Sequence, residues 1–98
     1  MKFWVKIHGP VLAVCDEDIL SKVFEEGDIY FEVKESFYKG ELVDIHELKS
    51  LLMNMRNINI IGNNAIKVAD SLGFVSRTME ICGVKHAIIV KIRSDVYE

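Results

Sequence analysis

Lys2 to His8 alternates strictly, with Phe3, Val5 and Ile7 on one side and Lys2, Trp4, Lys6 and His8 on the other. A period of two with one apolar side predicts a strand that buries a single face. Gly9-Pro10 turns the chain and Val11 to Cys15 continues as a second strand, so the opening reads as a hairpin. Asp16 then has the character of a helix N-cap, and Glu17 and Asp18 sit well against the helix dipole. Ile19, Leu20, Val23 and Phe24 supply an apolar stripe for that helix, and Gly27 closes it. Asp28 to Lys34 alternates again, with Ile29, Phe31 and Val33 facing one way, which predicts a third strand. Glu35 to Glu41 breaks the alternation and reads as an aromatic loop around Phe37 and Tyr38.

The sharpest local signal follows. Asp44-Ile45-His46-Glu47 has the spacing of a capping box, bracketed by Val43 and Leu48 as a hydrophobic staple. Ile45, Leu48, Leu51, Leu52 and Met55 repeat at helical spacing behind it. Ile58 to Ile61 predicts a short strand, and Gly62-Asn63-Asn64 turns into a helix striped by Ala65, Ile66, Ala69 and Leu72 and closed by Gly73. Arg77 to Cys82, the turn Gly83-Val84-Lys85 and His86 to Arg93 read as a closing hairpin. This order predicts one α+β domain over residues 1–98. Its sheet is mixed and mostly antiparallel, of about five or six strands, with two or three helices.

Composition narrows the class. The chain has 98 residues, half of them hydrophobic and 28% charged, which excludes a disordered or fibrous protein. Apolar runs such as Val11 to Cys15 are far shorter than the ~20 residues of a membrane helix, and the N-terminus lacks the pattern of a signal peptide. Cys15 and Cys82 are too far apart in sequence to form a close metal or redox pair, so both are expected as free thiols in a reducing cytoplasm.

The net charge of −3 conceals an uneven distribution. Between Asp16 and Glu47 eleven acids face Lys22, Lys34 and Lys39, a sum of −8. From Leu48 to Arg93 seven bases face Asp70 and Glu80, a sum of +5. Folding decides whether the two blocks separate in space or interleave.

On the polar side of the first strand Trp4 lies between Lys2 and Lys6. An aromatic between cations on a sheet face suits RNA, because bases stack on rings and phosphates pair with lysines. Lys91 and Arg93 extend this candidate surface; the bland alternative packs Trp4 under another element or between two copies. A second group comprises Cys15, Asp16, Tyr38, Gly40, Glu41, Gly62, Asn63 and His86. There a thiol, carboxylates, a phenol and an imidazole could gather around a small ligand, with the Gly62 turn offering amides to an anion. Packing and capping also explain most of these positions. His8, Cys15, Cys82 and His86 match no zinc spacing, so neither a metal nor a cofactor is expected.

Four segments together carry a family resemblance: Ala13-Val14-Cys15-Asp16-Glu17, Phe37-Tyr38-Lys39-Gly40-Glu41, Asn59-Ile60-Ile61-Gly62 and Gly83-Val84-Lys85-His86-Ala87. In order and spacing the chain resembles domain-of-unknown-function family 424, a small archaeal family, departing from its pattern where Lys85 replaces an expected proline. The resemblance implies an archaeal cytosolic protein, and the family's loose genetic association with translation factors implies an RNA- or ribosome-linked role. Asp16, Tyr38, Gly40, Glu41, Gly62 and His86 are the matched positions that packing explains least easily.

Three functions stay open on the sequence. The first is a non-enzymatic binding module for RNA or a ribosome-associated protein, using Lys2, Trp4, Lys6, Lys91 and Arg93, with no catalytic residue. The second is a small enzyme or ligand-binding protein built on the Cys15 to His86 group. The third is a homodimeric adaptor. No membrane partner is expected.

Overall fold

The structure, a computed structural model, describes residues 1–75 and 77–92. The predicted opening hairpin is present as β1 (Lys2–His8) and β2 (Val11–Asp16), paired antiparallel. After a 3-10 turn (Glu17–Ile19) come β3 (Val23–Glu26) and β4 (Ile29–Glu32), which form a separate two-stranded sheet, and a single-turn helix α1 (Glu35–Tyr38). β5 (Glu41–Asp44), α2 (Ile45–Asn54), β6 (Asn57–Ile61) and α3 (Asn63–Ser71) follow, and β7 (Met79–Ile81) and β8 (Val84–Val90) close the described fold.

The main sheet has six strands in the order β5-β1-β2-β6-β8-β7. Among the described strands of this sheet only β2 and β6 are parallel; every other pair is antiparallel. A parallel neighbour requires a long crossover, and the chain makes it through β5 and α2. The domain is thus α+β with a mixed, mostly antiparallel sheet, as the alternation of patterns predicts.

Each face of the sheet has its own cover. On one face Phe3, Val5, Leu12, Val14, Ile58 and Ile60 meet Leu48 and Leu52 of α2 and Ala65 and Ala69 of α3, all buried. On the other, Ala13, Cys15 and Ile61 meet Ile19, Val33 and Tyr38 from residues 17–38. This second cover holds seven acids, Glu17, Asp18, Glu25, Glu26, Asp28, Glu32 and Glu35, against Lys22 and Lys34. Most of the acidic block therefore forms one layer, while Lys49, Arg56 and Lys67 lie on or just beyond the helices of the opposite layer.

The capping box is complete. Asp44 accepts the backbone N–H of Glu47 at 2.9 Å, and Glu47 accepts that of Asp44 at 2.9 Å. Val43 and Leu48 are both buried, as a staple requires.

The helix expected from Asp16 to Gly27 does not form. Ser21 takes a φ of 72°, outside the helical region. Its N–H donates to Val33 O, and Val33 N–H donates to Lys22 O, so the chain is already pairing sideways. Phe24 faces Phe31 across the β3–β4 hairpin. An apolar stripe of four residues fits a helix or a strand, and the available partner strand decides the outcome. Residues 35–41, read as a loop, instead supply α1 and the start of edge strand β5, which pairs with β1. The closing hairpin is tighter than expected, with β7 starting at Met79 and β8 at Val84.

Candidate functional site

Strand register arranges the acid-covered face of the sheet into three rows. Leu42, Trp4, Cys15, Ile61, His86 and Met79 form the first. Lys6, Ala13, Asn59 and Ile88 form the second, and His8, Val11, Asn57 and Val90 the third. Residues 17–38 cover much of the first row. Beyond them Ile88 is 67% exposed and Val90 66%, while Asn57 and Val11 are half-buried. The lower half of this face is therefore partly open to solvent, at Ile88 and Val90, while Ala13 within it is fully buried.

Aromatic rings border the open half. His8 stacks on Phe37 at 4.7 Å between centroids and 11° between planes, and its Nε2 lies 2.8 Å from Phe37 O, so Nε2 carries the proton. Phe37 meets Tyr38 edge-on at 4.8 Å. Tyr38 Oη donates to Asn59 Oδ1 at 2.9 Å, and His86 Nε2 lies 3.0 Å from the same oxygen. An amide oxygen only accepts, so His86 donates through Nε2 and Asn59 joins α1 to β8. Desolvation lowers the His86 pKa and raises that of Tyr38, the buried Cys15 thiol adding a smaller upward effect on the phenol. His86 is thus held towards its neutral form.

Sequence reasoning missed Asn59 and the His8–Phe37 stack. The repeat Asn57-Ile58-Asn59-Ile60 was the signal available for the first, since a strand must turn both amides to the same face.

The eight pocket candidates fall into four separate groups of contacts. Asp16, buried at the end of β2, accepts the backbone N–H of Ala65 at 2.7 Å and of Asn64 at 3.0 Å. It caps α3 from 48 residues away in sequence, rather than the local helix expected from its position. Gly62 stands where that cap would have lain, with a φ of 117°, and a Cβ there would come within 2.5 Å of Asp16 Cγ. Burial raises the Asp16 pKa, while the two amides oppose that shift.

Asn63 forms the second group, donating to Gly83 O and accepting from Lys85 N–H, both at 2.9 Å, and so ties α3 to the β7–β8 turn. The third is Tyr38 with His86, joined through Asn59, with Cys15 fully buried in the same apolar cluster. Burial, followed by the charges of Asp16 and Asp18, pushes the Cys15 thiol up to about 12. It is a protonated core residue at neutral pH, not a nucleophile. In the fourth group Gly40 packs on β1, where a Cβ would meet Val5 O at 2.3 Å. The exposed Glu41 follows it on the edge strand.

The candidate RNA surface is also divided. Lys2, Trp4 and Lys6 share the predicted face of β1. Trp4, however, is half-buried in the second apolar cluster with the Lys39 ammonium 5.7 Å from its ring centroid, so it is not a free stacking platform. Lys6 Nζ donates to Ser36 O at 3.0 Å. Lys91 belongs to the helix-covered side instead: its ammonium donates to Leu52 O and lies 3.7 Å from the centroid of Phe74. There it satisfies a carbonyl near the C-terminus of α2, and desolvation lowers its pKa. Arg93 lies outside the described residues. Among the described residues no three His, Cys, Asp or Glu side chains are grouped to hold a metal ion, and no helix is long and apolar enough to cross a membrane.

The fold and this face define a small α+β domain whose sheet is covered by helices on one side, where Ile7 stays exposed, and partly covered by an acidic insert on the other. The family described as "Protein of unknown function (DUF424)" matches residues 5–92, and the chain belongs to it. The fold is shared with an uncharacterized conserved protein from Methanopyrus kandleri, at 23% identity and a TM-score of 0.74 over the whole of both chains. No curated protein matches.

Proposed function

We propose that this protein is a non-enzymatic binding module of archaeal translation or RNA metabolism, acting in the cytoplasm and holding a single-stranded RNA segment on the open half of its sheet. The observation that carries the reading is the exposed lower part of the face, bordered by the His8–Phe37 stack and floored by Asn57, Asn59, Ile88 and Val90. Bases stack on flat rings and their edges bond to amides, while Lys6, on the same face, supplies a cation for a phosphate. The acidic insert repels phosphates from the upper half, which confines a strand to the lower rows.

Fluorescence anisotropy with labelled single-stranded RNA of about ten nucleotides tests this. Binding at low salt should weaken as salt rises, and Lys6→Glu with His8→Ala should weaken it about tenfold with the fold intact. Absence of binding at low salt, or an affinity insensitive to both salt and the substitutions, overturns the reading.

The edge of β8 favours a second reading, a homodimer or protein adaptor. β7 pairs only with Val84, Lys85 and His86, so among the described residues no strand pairs with the outer edge from Ala87 to Val90. An edge with no strand paired to it, beside exposed Ile88 and Val90, can accept another strand, with Phe74, Val75 and Arg77 lining the cavity next to it. A doubled molar mass in solution, lost on Ile88→Thr with Val90→Thr, would move the weight to this reading.

A further inference from the structure

α2 and α3 lie on the face opposite Ile88 and Val90. Both start at the same end of the sheet, because β5 and β6 lead into them from strands that run in one direction. Between them is a groove of about 370 Å3, lined by Met1, Ile45, Lys49, Asn64, Lys67, Val68 and Ser71. Its positions on α3 recur at helical spacing, 64, 67, 68 and 71, and those on α2 are one turn apart, so both helices turn a continuous stripe towards it.

Ile45, Val68 and the Met1 side chain offer an apolar bed. Lys49 and Lys67 bring two positive charges, and among the described residues no carboxylate lines the groove. The helix dipoles are not the source of this character, since Asp44 already caps α2 and Asp16 already caps α3. The lysines therefore provide a net charge of the same sign on both walls of an apolar cleft.

We infer that this groove binds a small amphipathic anion: a molecule with one ring system or short branched body and a single carboxylate, sulfonate or phosphate group. The body lies on Ile45 and Val68, and the acidic group is held between Lys49 and Lys67 by charge-assisted hydrogen bonds. A volume of about 370 Å3 is at the small end of ligand sites, which suits such a molecule and not a docked helix. The site is independent of the RNA surface on the other face, so either assignment can fail without the other.

The probe is 8-anilinonaphthalene-1-sulfonate, an apolar ring system carrying one sulfonate, followed by its fluorescence on titration into the full chain. Saturable binding at one site is expected, with Lys49→Glu and Lys67→Glu together weakening it by about tenfold or more. Ile88→Thr with Val90→Thr, which removes the exposed apolar pair on the opposite face, should leave it unchanged. Methyl-resolved NMR of the unsubstituted protein gives a readout that needs no variant: the probe should shift the methyl signals of Ile45 and Val68. The inference is overturned by the absence of saturable binding, by shifts confined to Ile88 and Val90, or by an affinity that the lysine reversals leave intact.

Discussion

The two faces of the sheet differ in how completely they are finished. Under α2 and α3 the apolar side chains form one continuous core, and the described polar groups nearby serve mainly as caps and ties: Asp16, Asp44 and Lys91. Under residues 17–38 the buried cluster is smaller, a Tyr–Asn–His hydrogen-bond group runs along its border, and Ile88 and Val90 of the next two rows reach solvent. The contrast teaches that one side of the sheet carries most of the buried core while the other leaves Ile88 and Val90 exposed.

The largest effect should come from the closed face. Leu52→Ala removes a fully buried side chain between α2 and the sheet and should cost about 3 kcal/mol, measured by urea denaturation. A loss below about 1 kcal/mol would break the contrast, because α2 would then not be supporting the core. Next is the link across the top of the sheet. Asp16→Ala leaves the amides of Asn64 and Ala65 without their acceptor and should cost about 2 kcal/mol, with hydrogen exchange rising first at the start of α3.

The smallest effect belongs to the open face and depends on pH. Burial holds the folded-state pKa of His86 below its ordinary value of 6.5, so the unfolded chain takes up this proton at a higher pH than the folded one. The stability that His86 contributes as a neutral ring is complete above that ordinary value and is lost as pH falls towards the folded value. The denaturation midpoint should drop over that interval, and His86→Gln should flatten the drop. An unchanged slope in the variant would show that His86 is not the group responsible.

Much of the architecture was legible because its signals are local. The alternation of Lys2 to His8, the capping box at Asp44 to Glu47 and the stripe from Ala65 to Leu72 each state an element within one short segment. Residues 17–27 were not legible in the same way. Ile19, Leu20, Val23 and Phe24 fit a helix, and Ser21 and the pairing with Val33 turned them into a hairpin. The candidate site was legible only as a set of residues. The matched positions Asp16, Tyr38, Gly40, Gly62 and His86 all have specific contacts, yet these serve three local tasks and do not converge on one pocket.

The sequence alone determined the fold class, the α2 cap and the burial of Phe3 and Val5 on one face of β1, though not the exposure of Ile7 on that face, because backbone propensity and hydrophobic period act over a few residues. Only the tertiary structure decided that Asp16 caps a helix beginning 47 residues later, that Trp4 is half-buried while Ile88 is not, and that Lys49 and Lys67 share a groove. These depend on strand order and on the covering of each row, and both arise from contacts between segments distant in the chain.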